Sequence, residues 1–127
     1  MKIDAPEVIA EIAACFARYE AALMTYDPDA LDAFFWKDAR VLRFGEGECL
    51  YGHDAIARFR RTMTQVPQRT LRRTTFTSFG TDFGTANTEF VHDRETRLGR
   101  QSQTWVRLPE GWRIVAAHVS FLGFGTA

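Results

Sequence analysis

The sequence predicts one small α+β domain, in which helices pack on one side of a curved antiparallel sheet and a pocket lies between the two layers. Two observations predict this class: apolar residues recur at helical spacing in the first half of the chain, and strand-rich segments fill the second half. The length of 127 residues is that of a single domain, 1–127. Eleven Phe, three Trp and three Tyr favour a cone or barrel that lines a pocket.

The first helix is predicted from five residues that recur at steps of three and four and so share one face: Ile9, Ile12, Phe16, Tyr19 and Leu23. Asp4, followed by Pro6, is the predicted start signal. A second, short helix is predicted after Asp27, which can cap it, and Pro28, which suits a first turn. We expect its buried side to consist of Leu31, Phe34 and Phe35.

Residues 39–44 predict a strand, residues 45–48 a turn, and residues 52–63 a third helix with Ile56, Phe59 and Met63 facing inward. From about Leu71 the pattern is that of β-strands. Four strands are predicted at residues 74–80, 82–93, 100–108 and 111–123, with a tight hairpin turn at 110–112. Helices followed by a four-stranded meander predict an antiparallel sheet covered on one side.

The formal net charge of zero argues against a dedicated nucleic-acid or membrane-surface protein. Fourteen of the sixteen basic residues are Arg, which binds planar carboxylates through two parallel hydrogen bonds. This bias favours an anionic ligand, although genomic base composition would explain it equally well. We expect the basic residues between 58 and 73 to form a solvated helix face and strand edge: Arg58, Arg60, Arg61, Arg69, Arg72 and Arg73.

The two cysteines, Cys15 and Cys49, have neither metal-ligand spacing nor the pattern of a disulfide framework, so no metal and no cofactor is predicted. The N-terminal residues lack the features of a signal peptide, and no apolar run approaches the length of a membrane span. The default expectation is therefore a cytoplasmic protein. The sequence also lacks a nucleophile elbow, an HExxH motif, a P-loop and a Rossmann glycine pattern.

Tyr19 and Arg43 are the first candidates for a functional site. Tyr19 lies on the apolar stripe of the first helix, where it is either a core tyrosine with a satisfied hydroxyl or a proton donor that faces the pocket. Arg43 shares a strand face with Val41, and a buried charge needs a partner. It is either a surface residue paired with Glu46 or Glu48, or an anchor for a substrate carboxylate.

Polar residues on the predicted strands supply the remaining candidates, which we expect to shape the pocket: His118, Ser120, Gln103, Trp105 and Glu89. Strict alternation would place His118 and Ser120 on one face with Ile114 and Ala116. His118 is either a satisfied interior histidine or a group for proton transfer near neutral pH. His92 and His53 are expected to be more exposed.

Four stretches carry a resemblance that covers nearly the whole chain: FARYEAAL (16–23), LDAFFW (31–36), VLRFGEGECLYGHDAIARFR (41–60) and GRQSQTWVRLPEGWRIVAAHVS (99–120). They resemble the NTF2-like (SnoaL-like) superfamily and, more closely, its AtzH-like group, which includes the oxalurate-catabolism proteins called HpxZ. The most specific signal is Arg-Phe-Gly-x-Gly-Glu-x-Leu-x-Gly in the third stretch. The closing strand alone is common to many NTF2-like proteins.

The resemblance implies a cone-shaped α+β barrel, a homodimer formed through the outer sheet face, and a functional association with an amidase-signature enzyme. In the cyanuric-acid branch, the AtzH-like member is proposed to convert 1,3-dicarboxyurea to allophanate by means of a helix-one tyrosine and a first-strand arginine. These positions match Tyr19 and Arg43. The implied function is turnover of a small anionic ureido substrate, an N-carboxylated urea or oxalurate-like acid, by decarboxylation or amide hydrolysis.

Two other functions stay open from the sequence. The first is a non-catalytic protein that binds a metabolite or supports an amidase, since one fold hosts both kinds of role. The second is an isomerase or dehydratase of the ketosteroid-isomerase kind, which would need a carboxylate base in an apolar pocket. Glu89 is the candidate for that base.

Overall fold

A computed structural model describes residues 1–123 of the chain. The described part forms three helices and six strands: α1 (Pro6–Thr25), α2 (Pro28–Phe34), β1 (Leu42–Phe44), β2 (Cys49–Tyr51), α3 (His53–Arg60), β3 (Arg69–Phe79), β4 (Phe83–His92), β5 (Gly99–Leu108) and β6 (Gly111–Phe121). The prediction of an α+β fold with three helices against a curved sheet is confirmed. None of the helices within residues 1–123 combines the length and apolar character needed to cross a membrane.

Helix α1 presents the predicted face to the interior, where Ile12, Phe16, Tyr19 and Leu23 are all buried. Its start differs from the prediction, because Asp4 does not cap the helix. The Asp4 carboxylate instead accepts a hydrogen bond from the backbone N–H of Ser78, at 2.9 Å. Asp4 therefore ties the N-terminal segment to strand β3 rather than satisfying the first turn of α1.

Helix α2 begins as predicted, since the Asp27 carboxylate accepts a hydrogen bond from the backbone N–H of Ala30 at 3.2 Å. Helix α3 is shorter than predicted and ends at Arg60. Ile56 is fully buried, whereas Met63 lies beyond the helix and is 36% exposed. Met63 therefore does not belong to the helix, contrary to the prediction, but its side chain borders the cavity described below.

The six strands form one sheet in the order β2-β1-β6-β5-β4-β3. All neighbouring pairs are antiparallel except β1 and β6, which run parallel. Strand β2 was not predicted, because its three residues lie between a turn and a helix and are too few to show a period. The β5–β6 hairpin turns between Leu108 and Gly111, close to the predicted position.

A bulge in β6 determines which face of the sheet its side chains occupy. Thr104 pairs with Ala116 but Trp105 pairs with Ile114, so that Val115 is an extra residue on β6. An extra residue of this kind breaks the two-residue alternation. As a result Ile114 and Ala117 are both buried, and the inner face continues with Val119 and Phe121.

The three helices cover the inner face of the sheet, with α1 against β3 and β4, α2 against β6, and α3 against β1 and β2. The largest fully buried side chains between the helices and the sheet include Trp105, Phe35 and Ile12. The interior is not filled along its whole length, because the space between α1, α3 and strands β1, β6, β5 and β4 holds an open cavity.

Candidate functional site

The cavity has a volume of about 240 Å³ and lies between the helices and the inner sheet face. Its wall is partly aliphatic and aromatic, with contributions from Leu23, Ile56, Phe59, Phe90 and Phe121. Polar side chains from six elements and the β1–β2 turn also line it, among them Tyr19, Arg43, Glu48, Arg60, Arg69, His92 and Gln101. An apolar enclosure with a few convergent polar groups is the usual form of a small-molecule site.

Arg43 reaches the cavity from strand β1, and its Nη1 donates a hydrogen bond to Glu48 Oε2 at 2.9 Å. Both side chains are about one-fifth exposed, so the pair is largely withdrawn from water. The Glu48 carboxylate also accepts a hydrogen bond from the backbone N–H of Gly47. It lies so close to Gly45 that a Cβ at that position would be 1.8 Å from Glu48 Oε2. Gly45 therefore leaves the space in which the carboxylate sits.

Tyr19 lies on α1 and is 4% exposed. Its ring packs edge-on against Phe34 and Phe35, with centroid distances of 5.7 and 6.2 Å. No atom of residues 1–123 makes a hydrogen bond with the Tyr19 hydroxyl, which belongs to a side chain on the cavity wall. The ring is thus fixed by aromatic packing while the hydroxyl is left for a cavity ligand or solvent.

Arg69, at the start of β3, forms a buried ion pair on the cavity wall, with a side chain that is 4% exposed. Arg69 donates two hydrogen bonds to the Glu20 carboxylate of α1, from Nε to Oε2 at 3.0 Å and from Nη2 to Oε1 at 2.6 Å. Nη2 also donates to Gln101 Oε1 at 3.1 Å, and the guanidinium lies over the ring of Phe90. The prediction that Arg69 belongs to a solvated strand edge is therefore wrong.

Arg60 is also buried, contrary to the prediction for the basic segment. Its Nε donates to Asp32 at 3.1 Å, and Arg61 contributes a second hydrogen bond to the same carboxylate. Nη2 of Arg60 finds no partner among the described residues. The Tyr26 hydroxyl donates to the backbone carbonyl of Arg60, which secures the end of α3 over the cavity.

His92 lines the cavity at the end of β4, although the sequence indicated an exposed position. Burial lowers the pKa of His92 below its ordinary value, and the positive charge of Arg69 lowers it further, as does that of Arg97 to a smaller extent. Glu95 and Glu46 oppose the shift without cancelling it. The imidazole is therefore held in its neutral form more strongly than in an unfolded chain.

This shift predicts a pH dependence of stability. Unfolded His92 takes up a proton near pH 6.5, whereas the folded side chain requires a lower pH, so the free energy of unfolding should decline as the pH falls through about 6.5 and level off below the folded pKa. Urea unfolding between pH 7.5 and 5.5 measures the effect. His92→Gln should show a shallower decline than the wild type, and equal slopes in the two proteins would contradict the assignment.

The turn that carries Glu48 is tied to the β4–β5 connection at the mouth of the cavity. Glu46 pairs with Arg97 rather than with Arg43, and Arg97 also pairs with Glu95. The Arg97 guanidinium lies 4.3 Å from the centroid of the Phe121 ring. Of the two predicted partners of Arg43, only Glu48 turns toward it.

Three of the predicted pocket residues lie elsewhere. His118 is exposed on the outer face, where its ring contacts Phe44 at a centroid distance of 5.8 Å, because the bulge at Val115 reverses the alternation. Ser120 shares that face and accepts a hydrogen bond from Arg100. Glu89 lies on the outer side of β4, opposite Arg100, in a shallow depression on that face. The placement of these three residues in the pocket was wrong.

Gln103 and Trp105 are on the inner face as expected, but in the packed core below the cavity. They are 2% and 0% exposed, and Trp105 Nε1 donates to Gln103 Oε1 at 3.1 Å. Neither lines the cavity. Because neither side chain reaches the cavity, the Gln103–Trp105 pair could influence a bound ligand only through the packing of the residues that do line it.

Five of the polar cavity residues named above were not among the predicted site residues: Glu48, Arg60, Arg69, His92 and Gln101. The signal for Gln101 was present in the alternation of β5, which places it on the same face as Gln103 and Trp105. Arg69 and its partner Glu20 are 49 residues apart, and no local pattern joins them. No group of three His, Cys, Asp or Glu side chains suited to a metal ion occurs in residues 1–123.

Comparison with solved structures shows two close relatives. A protein of unknown function of the DUF3225 family from Pectobacterium atrosepticum SCRI1043 is 46% identical over 95% of each chain, with a TM-score of 0.93. A cystatin-like fold protein from Burkholderia xenovorans LB400 is 44% identical over 98% of this chain and 99% of the relative, also with a TM-score of 0.93.

A more distant NTF2-like protein of unknown function from Pseudomonas putida KT2440 has a TM-score of 0.81 at 16% identity, covering 96% of this chain and 91% of its own. That likeness identifies the fold as NTF2-like. A comparison with curated proteins gave no match. The model of the AtzH-like family matches residues 1–124, and the chain therefore belongs to the AtzH-like family.

Proposed function

We propose that the protein is an enzyme that acts on a small N-carboxylated urea or a related ureido acid. The observation that supports this proposal is the convergence of Arg43 and Tyr19 on one small cavity, with their other contacts arranged to leave donors free. The cavity of about 240 Å³ suits a small metabolite rather than a polymer segment. The substrate class is proposed from the resemblance of Tyr19 and Arg43 to the tyrosine and arginine of the AtzH-like member described above.

Arg43 would hold the substrate carboxylate. Only Nη1 is engaged by Glu48, so that Nε and Nη2 make no hydrogen bond within residues 1–123. A carboxylate could bind this free edge in the side-by-side geometry that guanidinium favours. Glu48 accepts one hydrogen bond from Arg43 Nη1 and one from the backbone N–H of Gly47, so it leaves the Nε and Nη2 edge of Arg43 open to a ligand carboxylate.

Tyr19 would supply the proton. When an N-carboxylated urea loses carbon dioxide, the bond between nitrogen and the carboxyl carbon breaks and its electron pair goes to nitrogen. That nitrogen takes the proton of the Tyr19 hydroxyl, carbon dioxide leaves, and solvent returns a proton to the phenolate. Arg43 stabilises the negative charge of the ureido group as the bond breaks.

Carbon-13 NMR tests the proposal, with the purified protein and freshly prepared 1,3-dicarboxyurea or oxalurate, against the uncatalysed rate. We expect the wild type to accelerate loss of at least one compound and Tyr19→Phe to bind it without acceleration. Binding by the wild type without turnover of either compound would instead support a metabolite-binding role. No binding of either compound would contradict the proposal, and co-purification with an amidase-signature enzyme would then favour an amidase-supporting role.

The outer sheet face supports a second proposal, that two copies of the chain form a homodimer through it. Phe44 lies on this face between Tyr51 and His118, at ring-centroid distances of 5.8 Å from each. Tyr51 is 65% exposed in the single chain, which is unusual for an aromatic side chain in a cluster. Such a cluster is typical of the centre of an interface.

Tyr51→Lys should convert the dimer to a monomer. In an isologous interface the two-fold symmetry brings the new charge of each copy into the same desolvated centre, where neither has a partner. Light scattering coupled to size-exclusion chromatography measures the mass of each protein. Ile3→Lys, at an exposed apolar position remote from the cluster, is the matched control and should leave the mass unchanged. A monomeric wild type, or a dimeric Tyr51→Lys, would contradict the proposed interface.

A further inference from the structure

Arg60 on the cavity wall shares its carboxylate partner with a second arginine. Asp32 accepts a hydrogen bond from Arg60 Nε at 3.1 Å and another from Arg61 Nη1 at 2.5 Å. Asp29 also pairs with Arg61, but the Asp29 side chain is 94% exposed, so solvent screens its charge. The side chains of Arg60 and Asp32 are only 7% and 12% exposed. The buried part of this cluster therefore carries an excess of positive charge.

The other two arginines on the wall differ from Arg60 in this respect. Arg43 pairs with Glu48, and Arg69 donates two hydrogen bonds to Glu20. Within residues 1–123, each of these two carboxylates matches a single guanidinium, whereas Asp32 serves two. The positive charge of Arg60 is thus the least fully compensated of the three.

The hydrogen bonds of Arg60 also leave part of its guanidinium free. Only Nε is engaged, so that Nη1 and Nη2 make no hydrogen bond within residues 1–123. Nη2 is buried without a partner, and an unmet buried donor has a substantial free-energy cost. A carboxylate can bind a guanidinium through two parallel hydrogen bonds, for which the Nη1 and Nη2 edge is available. Arg60 therefore offers both the charge and the donors that a carboxylate needs.

Arg60 lies close to the residues of the proposed reaction. It follows Phe59 on α3, and the Arg43 guanidinium lies 5.8 Å from the centroid of the Phe59 ring. The Arg60 guanidinium lies 5.5 Å from the centroid of Phe35, whose ring also packs against Tyr19. Arg43, Tyr19 and Arg60 all line the same cavity of about 240 Å³. A small ligand that is anchored at Arg43 can therefore extend its other end toward Arg60.

We propose that Arg60 is a specificity-determining residue, which binds the second anionic end of a ligand whose first carboxylate is held by Arg43. This inference rests on the proposed function, in which Arg43 is the first anchor. Among ureido acids of one size, Arg60 favours a compound with a carboxylate at each end over one with a neutral end.

Two stable acids of equal size test this role by calorimetric titration. Glutarate has a carboxylate at each end of a five-carbon chain, and in its monoamide a neutral amide replaces one carboxylate. The wild type should bind glutarate about tenfold more tightly than the monoamide, because hydrogen bonds between charged partners are stronger than those to a neutral amide. Arg60→Met should abolish this preference. Oxalurate, titrated alongside, reports whether Arg43 anchors a carboxylate.

Arg61→Met is the matched control, because it removes the other hydrogen bond to Asp32 while Arg61 does not line the cavity. The preference for glutarate should persist in this variant. Arg60→Met should fold, since Asp32 keeps Arg61 as its partner, and urea unfolding checks this. Arg60→Lys keeps the charge and should recover part of the preference, since an ammonium cannot form the two parallel hydrogen bonds.

The outcomes distinguish the role of Arg60 from the proposed function itself. Equal affinities of the wild type for glutarate and its monoamide would overturn the role of Arg60. A loss of preference in Arg61→Met as large as that in Arg60→Met would overturn it too, because the effect would then be one of general charge. In either case, binding of oxalurate that is lost in Arg43→Met would leave the proposed function standing. If the wild type does not bind oxalurate, the proposed function and the inference that rests on it both fail.

Discussion

Arg43→Met should weaken the binding of oxalurate by about 100-fold, because it removes two charge-assisted hydrogen bonds from a largely buried carboxylate site. Turnover of any substrate should fall at least as far. Calorimetric titration of the wild type and the variant measures the first effect, and carbon-13 NMR measures the second. Arg43→Lys should recover only part of the affinity, since an ammonium cannot form the two parallel hydrogen bonds.

The interpretation of Arg43→Met depends on Glu48. The Glu48 side chain is 20% exposed and loses its partner in this variant. The double variant Arg43→Met with Glu48→Gln removes the unpaired carboxylate and is the matched control. We expect it to bind oxalurate as weakly as the single variant, because the anchor itself is missing. Wild-type affinity in the double variant would show that Arg43 acts only by neutralising Glu48, and would contradict its role as the anchor.

Arg69→Met should destabilise the protein by about 3–5 kcal/mol, because it leaves Glu20 as an uncompensated charge at a poorly exposed position. The free energy of unfolding in urea measures the loss. The removal of both charges, in Glu20→Met with Arg69→Met, should recover much of the stability, since apolar residues of similar volume often replace a buried pair at little cost.

A matched comparison comes from the exposed pair of Arg40 and Asp38, at 75% and 28% exposure of the side chains. Arg40→Met should change the free energy of unfolding little, because solvent screens that pair. Equal losses in Arg69→Met and Arg40→Met would contradict the view that the Glu20–Arg69 pair is a buried structural element.

The fold was predictable because its signals are local. The α1 stripe through Ile12, Phe16 and Tyr19, the Asp27 cap and the last hairpin each follow from spacing or turn chemistry within a few residues. The same logic placed Arg43 and Val41 on one face of the first strand without deciding which face, and both side chains face inward. The roles of Tyr19 and Arg43 stay predictions until they are measured.

The missed parts depend on the register between strands and on contacts between distant segments. A single extra residue at Val115 moved His118 and Ser120 to the outer face, and nothing in an apolar run of β6 indicates a bulge. Arg69 looks like a solvated arginine in the sequence, because its partner Glu20 lies on a helix 49 residues away. Long-range charge pairs of this kind become visible only when the helices are placed on the sheet.

The central claim is that a small ureido acid binds in the cavity between α1 and the inner sheet face. The most direct measurement is a titration of isotope-labelled protein with oxalurate, followed by two-dimensional NMR of backbone amides and arginine side chains. The account predicts saturable shifts at Arg43, Arg69 and Gln101, with the outer-face residues His118 and Ser102 unaffected. Shifts confined to the outer face, or the absence of saturable shifts, would contradict it.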